Sequence, residues 1–187
     1  MNAEISPKET LLYRLLLAFA IIIIGAALRV APHLWNFTPI GAMALFSGAL
    51  VRDRRLAFAF PLLALFAGDL FVGFYKLSVM LLVYASFLLS VLIGRWLQNH
   101  RSLARISGTT LLGAIQFFLV TNFGVWWLLN SFPKTAAGLA ASYLSGIPFF
   151  WNTLAGDAFY SALFFGGFAL AERFVPILRE PAPAAIR

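Results

Sequence analysis

Between Leu11 and Leu28 the chain carries a single charged residue, Arg14, in a run that is otherwise Leu, Ile, Ala, Phe, Tyr and Gly. A stretch of about 20 such residues matches the roughly 30 Å hydrocarbon thickness of a bilayer and exceeds what a core helix usually needs. Five more apolar stretches follow: Pro39–Val51, Leu56–Tyr75, Leu77–Gly94, Ile106–Leu129 and Asn152–Ala171. Backbone groups in lipid must be satisfied internally, and no alternating ten-residue pattern suggests barrel strands, so these stretches are helices. The fold class expected is all-α: a polytopic membrane bundle of six transmembrane helices in one domain, 1–175, with a flexible tail, 176–187.

Composition agrees. Of 187 residues 61% are hydrophobic and 11% charged, too few charges to cover a soluble domain that hides 20 Phe and 5 Trp. The chain has no Cys, which excludes a disulfide framework, a thiolate nucleophile and a Cys-based metal site. Its net charge of +7 could suggest nucleic acid. In a membrane chain, loop charge that sets orientation is the simpler cause, and nucleic acid is not an expected partner. With the N-terminus placed in the cytoplasm and the stretches alternating, the inner segments hold eleven Lys and Arg. The outer ones hold Arg29, Lys76 and Lys134. This matches the positive-inside rule and puts both termini in the cytoplasm.

Several segments carry a second reading. The first run could pass for a signal peptide with a small-residue site at Gly25-Ala26-Ala27, but Ile21–Ile24 extend it to anchor length. Pro39–Val51 is only about 20 Å long, so loop residues before it should dip into the membrane. Arg14 can snorkel to the interface. Ser131–Trp151, with Pro133, Gly138, Gly146 and Pro148, reads as a long outer connection, re-entrant or interfacial. Small residues recur at four-residue spacing in Ser86, Ser90, Gly94 and in Ala158, Ala162, Gly166, a pattern that lets helices approach closely.

Ionisable residues inside a membrane are costly and mark candidate sites. Asp69 and Asp157 are such residues, and with Asn122 they fall about 8–12 Å below the outer ends of three helices, counted at 1.5 Å per residue. They could form the floor of an outward cavity, or simply bond one another as bundle glue. At the outer ends, the first loop contains His33, Trp35, Asn36, Phe37 and Thr38. Thr38 before Pro39 reads as a helix cap. Tyr75, Met80, Tyr84, Trp126, Tyr143, Phe149, Phe150 and Asn152 gather at or near the same side. More aromatics stand there than at the inner ends. An interfacial belt accounts for part of this; an apolar pocket with a few polar groups accounts for the excess.

Other chemistry is not supported. No Gly-x-x-x-x-Gly-Lys-Ser/Thr and no His-Glu-x-x-His is present. Ser47-Gly48 lacks the glycine two places earlier that an intramembrane serine protease would have, and His33 stands at the other end. Two aspartates do not make a selectivity filter. The chain is therefore expected to be a transporter or binding protein rather than an enzyme.

Asn36-Phe37-Thr38-Pro39-Ile40, Phe117-Phe118, Thr121-Asn122-Phe123-Gly124-Val125-Trp126, Pro133-Lys134-Thr135 and Pro148-Phe149-Phe150-x-Asn152-Thr153-Leu154 carry a resemblance. Over about Arg29 to Gly167 the chain resembles the substrate-binding S components of energy-coupling-factor vitamin transporters, above all the BtuM-like cobalamin group. The resemblance implies a bundle in the bacterial inner membrane that binds cobalamin or a related corrinoid in an outward-facing pocket, then reorients to release it inside. It implies His33, Trp35, Asn36, Phe37, Thr38, Asp69, Tyr75, Met80, Tyr84, Asn122, Trp126, Tyr143, Phe149, Phe150, Asn152 and Asp157 as candidate ligand contacts. Such systems usually dock a coupling protein and ATPases through an Ala-x-x-x-Ala step on the first helix. Here Ile22 follows Ala18 and Ile24 follows Ala20, which fits transport without a dedicated ATPase module. The cysteine that the group places near the start of the fourth helix is missing. Met80 and His33 are left as candidate axial ligands of the cobalt, with cobalamin as ligand and no intrinsic cofactor. The alternatives are an S component for another vitamin, or a structural or assembly membrane subunit.

Overall fold

In the computed structural model, residues 6–30, 34–99 and 101–178 are described. They form six α-helices: α1 (Pro7–Val30), α2 (Ile40–Leu50), α3 (Arg54–Val72), α4 (Leu77–Arg95), α5 (Leu103–Leu128) and α6 (Ala136–Phe174). A short 3-10 turn, Pro176–Leu178, follows. Five of the helices, all but α2, are long and apolar enough to cross a membrane. The six-span expectation is thus met in helix number, but α2 at 11 residues is about 16 Å long and cannot span on its own.

Most starts are set by local caps. Ser6 and Glu9 form a reciprocal capping box at α1, the Ser6 amide donating to Glu9 at 2.8 Å and the Glu9 amide to Ser6 at 3.3 Å. Asp53, Ser102 and Thr135 each accept from the third amide of α3, α5 and α6. Contacts between ends give an up-and-down order. Arg29 at the end of α1 meets Asp69 near the end of α3, and Lys76 before α4 donates to the Leu128 carbonyl at the end of α5. These mark the upper end. At the lower end Gln98, after α4, donates to the Gly48 and Val51 carbonyls where α2 stops. Arg14 meets Glu172 there, so α1 begins where α6 finishes.

Helix α2 is the centre of the bundle. Ten of its residues, Ile40 to Ala49, are buried, and it touches all five other helices. It fits against α4 backbone to backbone: a Cβ on Gly48 would stand 2.2 Å from the Val91 carbonyl oxygen, and one on Gly94 2.2 Å from that of Leu45. Ser86, Ser90 and Gly94 are all buried, so this small-residue stripe is an internal seam. On the other side Phe46 meets the rings of Phe164, Phe165 and Phe168 at 5.3–5.9 Å between centroids. By contrast, Ala158 and Ala162 are exposed, and that stripe faces outward.

Three expectations are corrected. Ser131–Trp151 is not a separate outer element: only its first residues connect, and α6 runs unbroken from Ala136 through Pro148 to Phe174. A proline in a membrane helix forfeits one backbone bond, which neighbouring groups can compensate, so the Gly and Pro residues of this segment do not end the helix. At 39 residues, about 58 Å, α6 exceeds any bilayer core. Next, Arg14 does not snorkel. It is buried, with Nη1 donating to Glu172 at 2.5 Å and to the Leu178 carbonyl at 2.7 Å, and it lies over the Phe168 ring. Finally, the bonded Leu178 carbonyl ties Pro176–Leu178 to the bundle, so these three residues are not part of a flexible tail; residues 179–187 lie outside the described residues.

Candidate functional site

The contacts of Gly48 with Val91 and of Leu45 with Gly94 seat α2 against the lower half of α4, and residues 34–39 lead down to it, exposed from Leu34 to Asn36 and buried at Pro39. Asn36 takes φ 63°, the left-handed region that Asn tolerates better than most side chains, and this turns the chain down toward α2. Asn152 of α6 holds the descending loop by donating to the Trp35 carbonyl at 3.0 Å. Phe37 anchors it between the rings of Phe159 and Tyr160, at 6.0 and 5.8 Å.

Above and beside this loop, a cavity of about 330 Å³ opens among α4, α5 and α6. Phe117, Phe118, Phe149 and Phe150 supply aromatic walls, and Val79, Val83 and Val125 aliphatic ones. Asn36, Thr121, Asn122, Ser145 and Thr153 supply polar groups. Among the described residues its lining has no charge. A mainly apolar pocket with a few hydrogen-bonding groups is the usual construction of a small-molecule site. Asn122 is fixed there by two contacts. Its Nδ2 donates to the Phe118 carbonyl at 2.8 Å, while its Oδ1 lies against Gly146, where a Cβ would come within 2.3 Å. Glycine at 146 is what lets the carboxamide sit between α5 and α6.

A second opening of about 300 Å³ lies on the other side of the loop, lined by Arg29, Trp35, Asn36, Thr38 and Val72. Asn36 faces both spaces. Arg29 reaches across Gly68 to Asp69, which is 1% exposed. The carboxylate accepts from Arg29 Nη2 at 2.5 Å and from the Tyr84 hydroxyl at 2.8 Å. This pair joins α1, α3 and α4.

Asp157 has a different task. Its carboxylate lies against Gly41 and accepts from the Ala42 amide. The cap expected of Thr38 is not formed: Pro39 is the capping residue of α2, with no side-chain bond of its own. The buried, partly positive start of α2 is met by a carboxylate from α6 instead.

The sequence candidates thus divide. Asn36, Asn122, Phe149 and Phe150 line the main cavity; Trp35 and Thr38 line the second. Asp69, Tyr84 and Asp157 hold helices together, and Asn122 shares no contact with either aspartate, so the three do not form one floor. Phe37 and Asn152 fix the loop. Trp126 donates to the Pro133 carbonyl and Tyr143 to that of Leu119, both bracing the α5–α6 turn. Tyr75 is in the α3–α4 connection and Met80 in the first turn of α4, half-buried; neither lines the cavity. His33 lies outside the described residues. The residues missed, Val79, Val83, Phe117, Phe118, Thr121, Val125, Ser145, Gly146 and Thr153, look like ordinary membrane-helix residues. The resemblance motifs took in Phe117, Phe118, Thr121, Val125 and Thr153 without giving them a role; Val79, Val83 and Ser145 gave no sign.

A family model described as a family of unknown function (DUF6580) matches residues 9–178. The chain belongs to that family. The match takes in nearly all of α1 and every later element, so both upper openings and the lower-end contacts belong to the DUF6580 unit. No curated protein and no solved structure matches the chain.

Proposed function

We propose that the protein is a vitamin-uptake component of the S-component type, multi-pass in the bacterial inner membrane, with the upper end outward and both termini cytoplasmic. The observation that carries this reading is the uncharged, phenylalanine-walled cavity between α4, α5 and α6. Lys and Arg fall mostly at the lower end, which suits a cytoplasmic face. The ligand enters from outside, its apolar rings meeting Phe118 and Phe150 and its amides meeting Asn36 and Asn122. The bundle then reorients, with or without a coupling protein and ATPases.

The resemblance names cobalamin or a related corrinoid. A corrin ring with its nucleotide arm is larger than 330 Å³, so this ligand requires α6 to swing from α4 and α5 or the 34–39 loop to lift. The cavity as it stands suits a smaller vitamin, near the lower limit of about 300–1,000 Å³ for small-molecule sites. That volume favours the S component for another vitamin as the second reading. The rival of another class is a structural membrane subunit, and the engagement of Asp69 and Asp157 in helix contacts favours it.

The test is to express the protein with cobalamin in the medium, purify it in detergent and record the visible spectrum across a size-exclusion peak. Corrinoid bands co-eluting near one per chain support the first reading. A colourless protein stabilised against heat by one member of a vitamin panel supports the second. If no vitamin binds and Asn122→Ala leaves uptake unchanged, the structural-subunit reading stands.

A further inference from the structure

A separate cavity of about 250 Å³ opens at the lower end, between the start of α1, the end of α2 and the segment after α4. Its polar lining is Arg14, Arg52, Arg101, Gln98 and Asn99. These come from three distant parts of the chain, and the fold holds them in place. Arg14 is anchored by Glu172 and the Leu178 carbonyl, and Gln98 by the Gly48 and Val51 carbonyls. Planar guanidinium forks match the oxygens of carboxylates and phosphates, and several of them around one small space suit the greater charge of a phosphate. Exposed Tyr13 (46%) and Trp96 (69%) flank this region, next to Arg14 and close before Gln98. Exposed aromatics of this kind mark the level of lipid headgroups. Basic pockets between helices at that level suit anionic headgroups.

We propose that the lower cavity binds a phosphate group, carried by an anionic phospholipid headgroup or free in solution. Arg52 and Arg101 grip it, while Arg14 sets the inner wall. The site is independent of the upper cavity and of what that cavity takes. A bound lipid there bridges α1, the α2–α3 turn and the start of α5, and so fastens the lower end.

The test uses the full chain in neutral detergent, titrated with phosphatidylglycerol, phosphatidylcholine or inorganic phosphate, with binding read by native mass spectrometry and by thermal unfolding. Phosphatidylglycerol is expected to bind about tenfold or more tightly than phosphatidylcholine, the difference a charge-assisted contact makes. The Arg52→Gln, Arg101→Gln double variant should lose that preference. Arg54→Gln, at the same end but off the cavity, should keep it. Inorganic phosphate that displaces phosphatidylglycerol points to free phosphate as a ligand; phosphate without effect points to the headgroup. Equal binding of the two lipids with phosphate silent overturns the proposal, as does a double variant that elutes and binds as wild type. If the double variant does not elute as wild type, Arg101→Lys and Arg101→Gln are compared. Retention in the first with loss in the second supports the site, and equal behaviour overturns it.

Discussion

The Asp157 carboxylate of α6 accepts the Ala42 amide in the first turn of α2 and lies where a side chain on Gly41 would be. One acidic group thus does for a buried helix what a local Asp, Ser or Thr does for α3, α5 and α6. A free amide at a buried helix start is expensive, and a carboxylate there also answers the helix dipole.

Gly41→Ala should therefore destabilise the fold, by roughly 1–3 kcal/mol for the overpacking. Its Cβ would meet Asp157 Oδ1 at 2.2 Å. Asp157→Ala should cost about 0.5–2 kcal/mol or more for the lost cap. The double variant should be less unstable than the sum, because removing the carboxylate makes room for the methyl group. Thermal unfolding in detergent of the four proteins checks this; strict additivity would show that the two residues do not meet.

Arg29→Ala and Asp69→Ala should each destabilise strongly, by about 3–5 kcal/mol, since each leaves a partner charge buried without its counterpart. Asp69 is 1% exposed, so its carboxylate has little water to turn to. Removing both should cost less than removing either. Yield of monodisperse protein and its melting temperature read the effect.

Asn36 separates two roles. Asn36→Gly should keep the fold, because glycine takes φ 63° without strain, yet lose the carboxamide that faces the cavity. Asn36→Ala should add backbone strain of about 1 kcal/mol. If ligand affinity falls about tenfold in both while stability falls only in the second, the side chain contacts ligand and the backbone shapes the loop. Equal affinity in Asn36→Gly and wild type would remove Asn36 from the site.

Met80 lies off the cavity, half-buried on α4. Met80→Leu should leave the spectrum and affinity of any bound corrinoid unchanged. Loss of a cobalt-linked band shift in this variant would mean that the bound state turns the start of α4 inward.

The apolar runs of this chain make its helices legible because lipid-length hydrophobicity is a local property. Even the shortness of α2 and the dip of the loop before it could be read from Pro39–Val51. What hides is lateral neighbourhood. Counting residues put Asp69, Asn122 and Asp157 at one depth. It could not say that Arg29 takes the first, the Phe118 carbonyl the second and Ala42 the third. Thr38 before Pro39 had every local mark of a cap, but the cap arrives from α6. Ser131–Trp151 looked broken because Gly and Pro end helices in water. In this bundle, Gly146 is instead the gap into which Asn122 fits.

The short central helix also bears on how the chain is made. Helix α2 leaves the ribosome long before α4 and α6, yet much of its buried surface, its Gly48–Val91 seam and its Asp157 cap are supplied by those later helices. With 11 residues it is about half the length that holds a segment across a bilayer. While α1 and α3 are already inserted, α2 has no stable place of its own in lipid. Its full burial is therefore reached only once α4, α5 and α6 have closed around it.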